Sequence, residues 1–272
     1  MPKDPQEGPP RPQALLLTFL GSHLLGSGLR IATASIVDVL RGTGVSEHAT
    51  RSTLSRMARR DLLTRTRRGR NVYVGLTERS TAILRDGETR LRGSEAGADD
   101  GTWTLLGFSM PESWQRQRHA LRSRLLWAGF GNIHNGLWIA PGTVDVTTLL
   151  SGIGVLQHVK AFSAAALPPT DLDALVRATW DLPRQAARYR GFLARWSAAV
   201  PPADDVLARH VLLQNDWLGT IRGDPRLPER HLPRDWPASA ARRMFLRRDA
   251  EWGPAATADA ARRLDTLPAP DP

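Results

Sequence analysis

Apolar residues in the first third of the chain recur at helical spacing and then alternate as in strands. The pattern predicts helices over 14–25, 33–41 and 47–60, because positions three and four residues apart share one helix face. Ser46 is the expected N-cap of the third helix. Two alternating stretches, 63–67 and 71–76, predict strands, and a fourth helix is expected from Thr77 to Leu91.

The third helix has two chemically distinct faces. The inward face is predicted from apolar spacing, and its residues are Ala49, Thr53, Leu54, Met57, Ala58 and Leu62. A helix with a polar, basic outer face fits the major groove of DNA, and a solvated amphipathic helix is the alternative. The outer face carries the candidate DNA-binding residues His48, Arg51, Ser52, Ser55, Arg56 and Arg59.

A glycine-centred hairpin tip, Arg68-Gly69-Arg70, joins the two predicted strands. The order helix, helix, basic helix, basic hairpin is typical of a winged helix-turn-helix, in which the hairpin is the wing. Wing arginines contact the DNA backbone or the minor groove. The candidates here are Arg65, Arg67, Arg68 and Arg70.

The middle of the chain predicts a small ferredoxin-like domain with the order βαββαβ. Its strands are expected at 103–108, around Ile133, at 137–139 and at 155–162, with Asn135-Gly136 as a turn. Its helices are expected over 111–128 and 145–150. The region 171–250 predicts helices broken at Pro183, at Pro201-Pro202 and over 225–237, and the chain from Gly253 is expected to be frayed.

The predicted fold class is therefore α+β and multidomain. A winged helix-turn-helix is expected over 13–92, the ferredoxin-like domain over 102–166 and an α-helical domain over 170–252. Residues 1–13 are expected to form a disordered leader and 93–101 a flexible linker.

Charge is concentrated where the DNA-binding pattern lies. Residues 1–92 hold 16 basic and 8 acidic side chains, so most of the net charge of +10 is in this third of the chain. A localised basic field favours a polyanionic partner, either nucleic acid or an anionic membrane surface. No apolar run approaches the ~20 residues of a membrane span. We expect a cytoplasmic location, on the nucleoid when bound to DNA, and no membrane partner.

Motifs for cofactor or metal chemistry are missing from the sequence. The chain has no cysteine, its seven histidines lack the spacing of a zinc helix, and no phosphate-binding glycine loop is present. We therefore expect no cofactor and no metal.

Eight short motifs follow one another along the chain: ATRSTLSRM (49–57), GRNVY (69–73), DGTWTLL (100–106), LWIAP (137–141), ARYRGFL (187–193), RGDPRLP (222–228), LPRDWPA (232–238) and ARR (241–243). Their order and spacing resemble the PaaX family, repressors of phenylacetate-catabolism genes. That resemblance implies a homodimer that binds a palindromic or near-palindromic double-stranded DNA operator and is released by a small effector, an aryl-CoA thioester in the best-known members and other ligands in other branches.

An enzyme is the main competing class. The PaaX middle domain is similar to small CRISPR-associated nucleases, which need an acidic metal ligand after the first strand. Phe108-Ser109-Met110 stands there instead and offers no such ligand. A nucleic-acid-processing enzyme is therefore disfavoured. A signalling adaptor that binds protein through its winged helix is disfavoured by the basic wing.

The effector site is the least defined element. Basic and aromatic residues of the helical region suit a phosphorylated aromatic ligand such as an aryl-CoA, although such stripes are more often core. His134, beside the Asn135-Gly136 turn, is a further candidate contact. The candidates in the helical region are Arg184, Arg188, Tyr189 and Trp217.

Overall fold

The computed structural model describes residues 11–93, 100–134, 136–198 and 203–269. These residues form ten α-helices and two four-stranded antiparallel sheets. They divide into two compact units, each discontinuous in sequence. The first takes in residues up to Gly93, Phe192–Gly219 and the chain from Ala240, and the second takes in Ser94–Gly191 and Thr220–Ser239. The division into three domains at the predicted boundaries stays a prediction.

The three helices expected at the start of the first unit are confirmed within one or two residues. They are α1 (Pro12–Leu24), α2 (Thr33–Gly42) and α3 (Glu47–Arg59). Between the first two lies β1 (Leu29–Ala32), which the sequence analysis missed because four residues give too little alternation to recognise. The fully buried leucines and Phe19 of α1 form the centre of the core of this unit.

The basic hairpin is present where it was predicted. Its strands are β2 (Leu63–Arg68) and β3 (Asn71–Leu76). Gly69 has a φ of +60° at the tip, a conformation that glycine adopts without a steric penalty. After the hairpin, α4 (Glu78–Arg92) begins at a capping box formed by Thr77 and Ser80.

The prediction of a frayed tail from Gly253 is wrong. Helix α10 (Ala238–Arg263) continues through Gly253 and Pro254, and β8 (Thr266–Pro268) then pairs with β1. An interior proline costs a helix roughly 3 kcal/mol. Here Ala256 and Ala260 are buried in the α1 core, and this distant packing stabilises the helix beyond the proline. The first sheet therefore has the order β2-β3-β1-β8.

The second unit contains the expected ferredoxin-like sheet. The elements of this unit are β4 (Trp103–Phe108), α5 (Gln115–Trp127), β5 (Gly131–His134), β6 (Leu137–Pro141), α6 (Val146–Leu149) and β7 (Val159–Ala164). The strand order is β5-β6-β4-β7. Leu106 and Trp138 lie opposite each other across β4 and β6 and pack against helix α5 through Leu121 and Leu125.

Two element boundaries in the second unit were predicted too early. Helix α5 begins at Gln115 rather than at Pro111, because 111–114 form a turn closed by a 3.1 Å hydrogen bond from Trp114 N to Pro111 O. Strand β7 begins at Val159 rather than at Val155, because Leu156–His158 form a 3₁₀ turn. Asn135 of the predicted turn lies outside the described residues.

The helical region predicted after residue 171 is confirmed. Pro183 does not break a helix but lies in the first turn of α8, where a missing backbone N–H costs nothing. Pro201 and Pro202 lie outside the described residues. The helices are α7 (Leu172–Thr179), α8 (Leu182–Ser197) and α9 (Val206–Ile221).

Candidate nucleic-acid interface

The start of α3 is fixed by a side-chain cap. Ser46 Oγ accepts a hydrogen bond from Ala49 N at 3.2 Å, and the Thr50 hydroxyl donates to Ser46 O at 3.1 Å. Leu54 and Met57 are buried below, and Thr50 joins them although the periodicity did not assign it to the core. The cap and these anchors orient the first two turns of the helix.

The outer face of α3 is arranged as predicted. His48, Arg51, Ser52, Arg56 and Arg59 are exposed, and Ser55 is half-buried. These residues are three or four positions apart and therefore form one continuous stripe along the helix.

Arg51 is held by an acidic neighbour that the sequence analysis did not single out. Its Nε donates to Glu47 Oε1 at 2.7 Å, and Arg41 lies 3.6 Å from the other oxygen of the same carboxylate. The hydrogen bond from Arg51 holds the pKa of Glu47 below its ordinary value. Because exposed ion pairs are individually weak, this pair orients Arg51 without preventing its transfer to another anion.

The hairpin carries four exposed arginines near its tip. Arg65 and Arg67 are two residues apart on β2 and project from the same face of the strand. Arg68 pairs with Asn71 at the last rung of the ladder, and Arg67 Nε donates to Gly69 O at 3.3 Å. Arg70 completes the tip.

The electrostatic field of these two elements is strongly positive. Residues 46–76 contain eight arginines and two acidic residues, and one of the acids is the already paired Glu47. An exposed surface of this composition attracts phosphate backbones.

An aspartate from the far end of the chain also contacts the hairpin. Asp265 Oδ2 accepts hydrogen bonds from the Tyr73 hydroxyl at 2.8 Å and from Asn71 Nδ2 at 3.3 Å. The sequence gives no signal for this contact, because Asp265 lies 192 residues away from Tyr73 in a segment predicted to be frayed.

The candidate effector residues of the second unit differ in exposure. His134, at the end of β5, and Arg184 are exposed. Arg188 is half-buried and donates to Arg222 O at 3.0 Å. Tyr189 is buried and donates to the Asp224 carboxylate, and burial followed by the charge of Asp224 raises its pKa above the ordinary value.

Trp217 belongs to the first unit and is a core residue there, with 4% of its surface exposed. Its ring stacks on Phe245 at 5.0 Å with 9° between the planes, and it meets Phe192 edge to face. The assignment of these residues to an effector site stays a prediction.

The end of β4 bears on the enzyme alternative. Ser109 N donates to His158 O at 3.1 Å, and the neighbouring Phe108 and Met110 are apolar. Throughout the described ranges, no cluster of three or more His, Asp or Glu side chains could hold a metal ion.

Across the same ranges, every helix is too short or too polar to span a membrane.

Three family models match consecutive parts of the chain. The model for PaaX-like protein matches residues 11–80, that for the PaaX protein central Cas2-like domain matches 96–176, and that for the PaaX-like protein C-terminal domain matches 180–262.

Comparison with individual proteins gives a relative and a solved structure. The chain is 30% identical to the transcriptional repressor PaaX of Escherichia coli strain K12 over 276 aligned positions, which cover 94% of this chain and 86% of the relative. It is also similar in fold to the uncharacterized protein Rv0674 from Mycobacterium tuberculosis. That similarity has a TM-score of 0.56 and 22% identity, and it covers 92% of this chain and 99% of the other.

Proposed function

The chain belongs to the PaaX family, and we propose on that basis that it is a transcriptional regulator that binds double-stranded DNA in the cytoplasm. The observation that carries this proposal is the exposed basic stripe of α3 together with the four exposed arginines of the β2–β3 hairpin in the same unit.

These elements correspond to a winged helix-turn-helix. Helix α2 is the first helix, α3 is the recognition helix and the β2–β3 hairpin is the wing. Residues of the first turns of α3, among them His48, Arg51 and Ser52, meet base edges in the major groove, whereas Arg56 and Arg59 meet phosphates. The wing arginines bind the flanking backbone or enter the minor groove.

Regulation requires a partner copy and a ligand. We propose that two copies bind a near-palindromic operator, with the recognition helices about one helical turn apart. A small effector, an aryl- or acyl-CoA thioester, binds the form that does not fit DNA and shifts the population away from the operator. The name of the E. coli relative, a transcriptional repressor, supports repression as the output.

A catalytic role is not part of this proposal. Apolar Phe108 and Met110 flank Ser109 at the end of β4, where a related nuclease would need an acidic metal ligand. Incubation with single- and double-stranded nucleic acids and Mg²⁺ or Mn²⁺ tests this. Cleavage that co-purifies with the protein and disappears when EDTA is added would favour the enzyme.

Selection of bound fragments from genomic DNA tests the proposed function directly. The wild-type protein should enrich one near-palindromic site, and its neighbouring genes indicate the effector to be tried. Arg51→Ala and Ser52→Ala should change the preferred bases, because these residues lie on the reading face.

Arg122→Ala is the matched control, because this arginine is exposed on α5 in the other unit. It should leave the selected sequence unchanged. Unchanged preferences for Arg51→Ala and Ser52→Ala would show that α3 does not read the bases. A wild-type protein that enriches no sequence would contradict the proposed function itself.

A further inference from the structure

The outer end of the wing has a partner strand on one side only. Strand β1 pairs with β3 at Ile31–Val74 and Ala32–Tyr73, and the chain then enters α2 at Thr33. Beyond Tyr73, the ladder pairs β3 only with β2, in which Arg67 and Arg68 lie opposite Val72 and Asn71. The rungs that carry these arginines therefore lack the lateral support that the base of the hairpin has.

Asp265 occupies the place next to β3 where β1 has ended. Its backbone carbonyl accepts from Ala32 N at 2.8 Å, and its backbone N–H donates to Ser35 Oγ at 3.1 Å. Its carboxylate reaches β3 and accepts from Tyr73 and Asn71 through a single oxygen, Oδ2. One residue thus links the end of β1 and the start of α2 to the wing.

Asp265 is itself held from both sides along the chain. On the preceding side, Arg263 binds Asp38 of α2 at 2.8 Å, Asp205 at 2.6 Å and Asp259 at 2.7 Å. On the following side, β8 pairs with β1, and Ala269 N donates to Gly28 O at 2.7 Å. The backbone of Asp265 is therefore fixed in place, and its carboxylate can restrain the hairpin.

We propose that Asp265 is a positioning residue for the wing, and that its carboxylate sets the direction in which the tip arginines project toward DNA. The expected change in DNA affinity rests on the proposed function, whereas the expected change in the mobility of the hairpin does not. Tyr73 is the principal contact, because its hydroxyl makes the shorter hydrogen bond and its ring is buried, with 6% of its surface exposed.

An effect of the Asp265 charge and an effect of its hydrogen bonds predict opposite changes in DNA affinity when the side chain is removed. A carboxylate bound to the hairpin that carries the four arginines repels phosphate, so if Asp265 acted only through its charge, its removal would tighten DNA binding. If it acts by holding the wing, its removal frees the tip and weakens binding, because ordering the arginines then costs entropy on association.

Three substitutions separate the two effects, measured as affinity for the selected operator. Asp265→Ala and Tyr73→Phe should each weaken binding about 10–100-fold, the range for the loss of one hydrogen bond to a charged group. Asp265→Asn removes the charge but keeps an oxygen that accepts from Tyr73, so it should bind as the wild type or more tightly. Glu78→Gln, which removes an exposed acid elsewhere in the unit, is the charge control.

Hydrogen exchange without DNA is the independent readout. Amides of residues 66–73 should exchange faster in Asp265→Ala and Tyr73→Phe than in the wild type, while those of α1 stay protected. Tyr73→Phe keeps the ring and therefore tests the inference even if Asp265→Ala does not fold. Tighter binding by Asp265→Ala with no effect of Tyr73→Phe would overturn the proposal, as would unchanged exchange in both variants. Failure of the wild type to bind any DNA would instead refute the proposed function and leave the exchange test valid.

Discussion

At the scale of single residues, the arginines at the wing tip and those on α3 are expected to act differently on DNA. Arg68→Ala should weaken binding to all sequences about equally, because a tip arginine on the phosphate backbone carries no base information. The negative slope of log affinity against log salt should become shallower by about 1, the loss of one phosphate contact. Titration of operator and unrelated DNA at several salt concentrations measures both effects.

Arg85→Ala removes an exposed charge from α4 and serves as the control for Arg68→Ala. It should leave the salt slope unchanged. A loss confined to the operator sequence in Arg68→Ala would mean that this arginine reads bases.

A second residue-scale effect concerns pH. His23 packs against Phe19 with 4.8 Å between ring centroids, and its Nε2 is buried with no hydrogen-bond partner among the described residues. Burial, followed by the charge of His210, lowers the pKa of His23 from 6.5 to about 4. The folded protein therefore keeps this imidazole neutral in a range where the unfolded chain protonates it.

Stability should consequently fall as the pH falls from the unfolded pKa toward the folded one. Between about pH 6.5 and pH 4 this group alone should cost up to about 3 kcal/mol of unfolding free energy. His23→Leu should reduce that loss, and His48→Leu, at an exposed position, should not. Urea unfolding across this pH range measures it, and parallel pH profiles for the wild type and His23→Leu would contradict the assignment.

At the scale of elements, α10 continues through Gly253 and Pro254 because of its buried face. Ala256→Glu should lower the unfolding free energy by about 3 kcal/mol or more, since it places an unpaired charge in the α1 core. Ala255→Glu, one position away and exposed, should change it by about 0.5 kcal/mol or less. Thermal and urea unfolding of the two variants compare them directly, and equal effects would mean that this part of α10 is not packed.

The elements that the sequence predicts are those whose signal is local. The stripe on α3 and the Gly69 hairpin follow from residues within a few positions of one another, and both were predicted. By contrast, β1 is too short to show alternation, and the part of α10 after Pro254 depends on small buried alanines whose partners in α1 lie more than 200 residues away. At the candidate interface, the outward residues were predicted for the same local reason, but Asp265 was not.

At the scale of the whole molecule, the first unit, which carries the basic helix and hairpin, extends beyond the first ninety residues. Its core joins α1 leucines to Leu207 and Val211 of α9 and to Ala256 and Ala260 of α10, each with at most 4% of its surface exposed. A fragment of residues 11–93 should therefore expose the part of this core that α9 and α10 cover. Burial of apolar surface stabilises a folded protein by roughly 25 cal/mol per Å².

We expect that fragment to melt well below the full chain or without cooperativity, and to bind a dye for exposed apolar surface. Circular dichroism and dye fluorescence measure these properties, with the full-length protein as reference. A cooperative transition of the fragment at the temperature of the full chain would contradict a shared core.

Because the first unit is formed by three separate segments of the chain, it cannot complete its folding until the last segment has been synthesised. The leucines of α1 are translated before the hairpin, and the alanines of α10 that pack on them follow roughly 180 residues after it, which takes about 9–36 s at elongation rates of about 5–20 residues per second. During that interval the part of the α1 core that α10 covers in the folded protein stays exposed on the nascent chain, and apolar surface of that kind is what holding chaperones bind. The unit that begins first is therefore the last to finish folding.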